Sequence, residues 1–86
     1  MSANLETAPT IMVVDDEEGI RRSLERVLMD EGFAVIEASN GEAALALIAR
    51  RRPDAVLLDI WMPGMDGIEA LKAIIAAAPG LPVIMI

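Results

Sequence analysis

Eighty-six residues suit one domain, and a chain of this length buries its core with less margin than one of about 150 residues. Fourteen acidic residues against seven basic ones leave a net charge of −7, which argues against nucleic-acid binding by this segment because phosphate contacts need a basic surface. There is no cysteine and no histidine, so disulfides, thiolate zinc sites, His-dependent triads and a phosphohistidine donor role are excluded.

The apolar share is 55%, yet Phe33 and Trp61 are the sole aromatics, so the core must be aliphatic. Residues Met1 to Pro9 lack a basic segment followed by an apolar one and predict a short flexible leader rather than a signal peptide. No apolar stretch approaches membrane-spanning length, and a cytoplasmic location is the default expectation.

Thr10 to Val14 predicts the first strand, because Ile11-Met12-Val13-Val14 is a continuous apolar run suited to burial on both faces. The acidic run Asp15-Asp16-Glu17-Glu18 ends it. A helix follows from about Glu18 to Glu31, with Ile20, Leu24, Val27 and Leu28 predicted as its inner stripe. Glu18 and Arg22 form a favourable exposed pair at helical spacing, and Gly32 is the expected stop.

Ala34 to Glu37 predicts a brief second strand. Asn40 is the expected N-cap of a second helix over Gly41 to Arg51, whose inner face carries Ala44, Leu45 and Ile48. The run Arg50-Arg51-Arg52 reads as a solvated helix end that complements the helix dipole. After the break at Pro53-Asp54, Ala55 to Leu58 is the third strand, and it too ends in a carboxylate, Asp59.

The loop from Ile60 to Asp66 contains Pro63 and Gly64, and Asp66 is expected to cap a third helix. Leu71, Ile74, Ile75 and Ala78 mark the predicted inner side of that helix. Pro79-Gly80-Leu81-Pro82 turns the chain into a fourth strand starting at Val83. Four apolar residues, Val83 to Ile86, predict a strand covered on both faces, and with it a further part of the domain beyond Ile86. The β-α-β-α-β-α-β order implies a parallel sheet with right-handed crossovers.

Parallel strands put their C-terminal ends on one side of a sheet, where ligands bind as strand order reverses. If the first and third strands are neighbours, about 4.7–4.9 Å apart, then Asp15, Asp16 and Asp59 converge. Three carboxylates repel one another unless protonated or bound to a cation, and a hard divalent ion such as Mg²⁺ suits oxygen ligands. An aspartate beside such an ion can act as a nucleophile toward a phosphoryl group. An Asp-Asp pair alone fits an acidic helix N-terminus equally well; two strand runs that both end in acids make coincidence harder to sustain.

Three segments strongly resemble the receiver domains of response regulators in two-component signalling. They are Val13-Val14-Asp15-Asp16-Glu17, then Leu57-Leu58-Asp59-Ile60-Trp61-Met62-Pro63-Gly64-Met65-Asp66-Gly67, then Leu81-Pro82-Val83-Ile84-Met85-Ile86. The resemblance runs from Thr10 to Ile86. It implies a flavodoxin-like doubly wound parallel sheet with strand order 2-1-3-4, and a phosphorelay role with a sensor histidine kinase as partner. It implies Asp59 as phosphoacceptor and Mg²⁺ as cofactor, held by Asp16 and Asp59, by Asp15 through a water, and by the backbone carbonyl of Trp61. Pro63 and Gly67 would shape the loop into the third helix, and Met62 and Met65 would pack. Trp61 would stand partly exposed beside the site.

The family's Ser or Thr after the fourth strand, its Lys after the fifth, and that fifth strand with the last two helices find no match here. The one lysine, Lys72, falls within the third helix. The expectation is therefore a receiver module truncated after its fourth strand, not an enzyme in the usual sense, whose phosphorylation is impaired. An alternative is a non-phosphorylatable module that interacts or self-associates through the fourth-strand edge. A more remote one is a Mg²⁺-dependent phosphatase of the haloacid dehalogenase type, although no Gly-Thr follows Asp15-Asp16-Glu17-Glu18. A dinucleotide-binding domain is disfavoured by the lack of a Gly-rich fingerprint after the first strand.

Overall fold

The computed structural model describes residues 8–62 and 67–86. Among the described residues four strands, β1 (Thr10–Val14), β2 (Ala34–Ala38), β3 (Ala55–Leu58) and β4 (Val83–Met85), alternate with three helices, α1 (Glu18–Asp30), α2 (Gly41–Arg50) and α3 (Gly67–Ala77). The strands form one parallel sheet in the order β2-β1-β3-β4. The interior strand β1 is buried at every position, which is why the run Ile11 to Val14 within it is continuously apolar rather than alternating.

Alternate residues of the strands face opposite layers. Met12 and Val14 of β1 and Val56 and Leu58 of β3 join Ala44 and Ile48 of α2 and Ala70 and Ile74 of α3 in one aliphatic core. Val13 of β1 pairs with Glu37 of β2, and Arg21 of α1 reaches Glu37, so α1 covers the opposite face from α2 and α3. Along that face the register continues from Val13 to Leu57 to Ile84. Ile84, on β4 at the sheet edge, is 55% exposed.

Local signals hold where they are chemical. The Asn40 side chain accepts a hydrogen bond from the Ala43 N–H at 2.7 Å, capping α2, and Gly32 takes a φ of 92° just after α1, a conformation that costs glycine little. The expected Glu18–Arg22 pair forms at 2.8 Å. Strand and helix limits agree within one residue, and the backbone of Ile86 still pairs with Leu58 and Ile60.

The amphipathic faces need two corrections. In α1 no residue is fully buried, and Ile20 and Val27, expected inside, are exposed. The half-buried stripe is Arg21, Leu24, Glu25 and Leu28, a rotation of about 100°, one residue, at its start. Apolarity misled here because the β2 residue under α1 is the acid Glu37, which selects Arg21 over Ile20. In α3, Ala70 and Ile74 are buried while Ile75 is 53% exposed, because the sheet contacts only a narrow stripe. The arginine run is also more than a solvated end: both terminal nitrogens of Arg52 lie 3.3 Å from the Pro79 carbonyl, tying the turn before β3 to the turn before β4.

Pro63, Gly64, Met65 and Asp66, including the expected cap by Asp66, lie outside the described residues, as do residues 1–7 of the leader. Among the described residues no helix is long and apolar enough to cross a membrane.

Candidate acidic site

Val14 and Leu58 are partners in the β1–β3 register, so the next residues, Asp15 and Asp59, leave the sheet side by side. The pairing persists one step further, since the Asp59 N–H donates to the Val14 carbonyl at 2.9 Å. On the other side of β1, the Asp15 N–H donates to the Ala38 carbonyl of β2 at 3.1 Å. The site thus sits at the C-terminal ends of β1 and β3, where the strand order reverses, the usual ligand position in such sheets.

Carboxylate oxygens of Asp15, Asp16 and Asp59 all lie within 4.8 Å of one another. Their exposures differ: Asp15 is buried, Asp59 half-buried and Asp16 exposed. Oδ1 of Asp15 accepts the Glu17 N–H at 2.9 Å, and Oδ1 of Asp59 accepts the Trp61 N–H at 3.1 Å. Asp15 and Asp59 are thereby each held by a backbone donor two residues on, through one carboxylate oxygen. An all-carboxylate donor set of this kind could hold a hard divalent cation.

Trp61 is 83% exposed, more open than the partly exposed aromatic expected there. Met62 is buried, as expected of a packing residue. Lys72 sits exposed within α3. Gly67 opens α3 directly against the acidic loop, its N–H donating to the Ile60 carbonyl at 3.0 Å.

Two side chains absent from the sequence-based site stand behind it. Nη1 of Arg21 donates to the Asp15 carbonyl at 2.7 Å, and its Nε lies 3.3 Å from Oε1 of Glu37. The sequence draws attention to the neighbouring Arg22 through its helical spacing from Glu18. Only the position of β2 reveals Arg21.

The fold is thus a parallel α/β sheet with three carboxylates gathered at its switch point. The model of the response regulator receiver domain matches residues 11–86, and the chain belongs to that family, which serves two-component signalling. It is 43% identical over 76 residues to the response regulator MprA of Mycobacterium sp. (strain KMS), covering 88% of this chain and 33% of that protein. It is 52% identical over 62 residues to sporulation initiation phosphotransferase F of Bacillus subtilis, covering 72% of this chain and 50% of that one. The chain therefore spans a third to a half of these relatives. Among solved structures, the chemotaxis protein CheY4 of Vibrio cholerae superposes with a TM-score of 0.87 at 32% identity, over 92% of this chain and 68% of that one.

Proposed function

We propose that this chain is the phosphoacceptor module of a two-component phosphorelay, taking a phosphoryl group from a sensor histidine kinase onto Asp59, in the cytoplasm. The convergence of Asp15, Asp16 and Asp59 within 4.8 Å is the observation that carries the reading. Asp16, Asp59 and the Trp61 carbonyl would hold Mg²⁺, with Asp15 acting through a water, and the ion would neutralise charge on the phosphoryl oxygens.

Asp59 is the better nucleophile of the three on grounds of access and placement. Asp15 is 3% exposed, and Asp16 lies on the exposed turn before α1. Asp59 is half-buried, and the Trp61 N–H on its Oδ1 leaves the other oxygen to react. A carboxylate oxygen forms the new bond to phosphorus as the donor's phosphorus–nitrogen bond breaks, and the departing imidazole nitrogen takes the electron pair and then a proton. The burial of Asp15 also counts against the phosphatase reading, which makes it the nucleophile.

Lys72, within α3 and exposed, does not serve as the cation that meets the transferred charge. The test is intact mass after incubation with Mg²⁺ and a small-molecule phosphodonor, beside Asp59→Asn. An adduct on the parent alone supports the reading; an adduct on both, or one lost with Asp15→Asn but kept with Asp59→Asn, overturns it.

A second reading, self-association through β4, is favoured by the exposure of Ile84 and Ile86 at that edge. Sedimentation equilibrium should show a dimer that Ile84→Lys disperses; a monomer at all concentrations removes this reading.

A further inference from the structure

Asp15 is held at three points, the third through a side chain that is itself anchored. Its N–H is bound to the Ala38 carbonyl, its Oδ1 accepts the Glu17 N–H, its carbonyl accepts from Arg21, and Arg21 is fixed at its far end by Glu37. Glu37 immediately precedes Ala38 in β2, so the contacts close a ring running Asp15, Ala38, Glu37, Arg21 and back to Asp15. The Arg21 side chain is only 16% exposed and that of Glu37 32%. By contrast the neighbouring Arg22–Glu18 pair is 74% and 66% exposed, where an ion pair contributes little.

From this ring we infer that Arg21 is a positioning residue of the acidic site. Its guanidinium fixes the turn carrying Asp15 and Asp16, and brings a positive charge to the backbone beneath three converging carboxylates. Two donors on one planar group suit the task, since one end takes the carbonyl while the other is locked on Glu37. Arg21 touches neither cation nor phosphoryl group; it acts through Asp15, as residues behind metal ligands commonly do. The inference rests on the reading of the acidic cluster as a Mg²⁺ site.

The experiment is a Mg²⁺ titration of the full chain, followed by Trp61 fluorescence and calorimetry, for wild type, Arg21→Met, Arg21→Lys and Glu37→Gln. Thermal unfolding of each variant is recorded in the absence of the ion. Arg21→Met keeps the aliphatic stem and loses both donors. Its Kd for Mg²⁺ should rise about tenfold or more, the usual effect of removing such a partner, at a temperature where its far-UV dichroism matches wild type.

Arg21→Lys keeps the charge but not the planar fork, and should recover part of the affinity. Glu37→Gln should weaken binding less than Arg21→Met, since the contact to Asp15 remains. Should Arg21→Met fail to fold, Arg21→Lys decides: a several-fold weaker Kd supports the positioning role. Unchanged Mg²⁺ affinity in the folded arginine variants, with only a lower melting temperature, makes Arg21 a clamp between α1 and β2 and overturns the inference. Absence of any Mg²⁺ response in wild type removes the metal reading itself, and this one with it.

Discussion

A Cβ atom placed on Gly67 would lie 2.5 Å from the Cα of Ile60 and 2.7 Å from the carbonyl oxygens of both Asp59 and Ile60. All three are backbone atoms, so no side-chain rotation can relieve the contact. Positive φ is not the reason for glycine here, since only Gly32 and Gly80 take it among the described residues. The need is for close approach: α3 begins against the backbone of the acidic loop, and its distance from that loop is set by the missing side chain.

Gly67→Ala should therefore lower stability by about 1–3 kcal/mol, the usual cost of overpacking, in urea unfolding. It should also displace Asp59. The Mg²⁺ affinity of Gly67→Ala should fall more than that of a core variant of equal stability cost, and equal affinities would show that the clash is absorbed within α3.

Ile74 is fully buried in the core and Ile75 is 53% exposed. Ile74→Ala should cost about 2–5 kcal/mol in chemical denaturation, while Ile75→Ala should stay within about 0.5 kcal/mol of wild type. Comparable losses at both positions would contradict the narrow inward stripe of α3.

The side chain of Asn40 supplies the one hydrogen bond that caps the start of α2 from within the sequence. Asn40→Ala should cost about 1 kcal/mol, and Asn40→Asp should cost less because aspartate caps comparably. Urea midpoints at neutral pH measure both.

Glu25 carries a carboxyl raised above its ordinary 4.5, first by its hydrogen bond to Glu37, then by the charge of Glu37 and by burial, and opposed by Arg22. An acid whose folded pKa lies above its unfolded value favours folding when protonated. Its contribution is complete below the unfolded value and is lost as pH rises through the folded one. Glu25→Gln should consequently gain stability relative to wild type as pH climbs from 4.5 toward neutrality. Unfolding curves for the two proteins across that range check the direction; a difference independent of pH would contradict the raised pKa of Glu25.

Much of this was legible in the chain. Four apolar runs separated by helical segments specify a parallel α/β sheet, because only buried strands tolerate unbroken apolarity. Carboxylates directly after two of those runs place Asp15, Asp16 and Asp59 at strand ends, and Asn40 and Gly32 mark helix limits through chemistry that acts within a few residues. These features are local, and the residue types suffice to read them.

Tertiary structure decided what depends on the neighbour across the interface. Ile20 and Val27 match an inner stripe by periodicity, yet α1 turns Arg21 and Glu25 toward the sheet, because the β2 residue beneath it is charged. Arg21 became part of the acidic site only when β2 was laid beside β1, bringing Glu37 within reach of the guanidinium that also holds the Asp15 carbonyl. Gly67 likewise acquired its meaning from the approach of α3 to Asp59 and Ile60. Periodicity records how apolar a face is; which face is inward is set by the groups packed against it, and those lie far away in sequence.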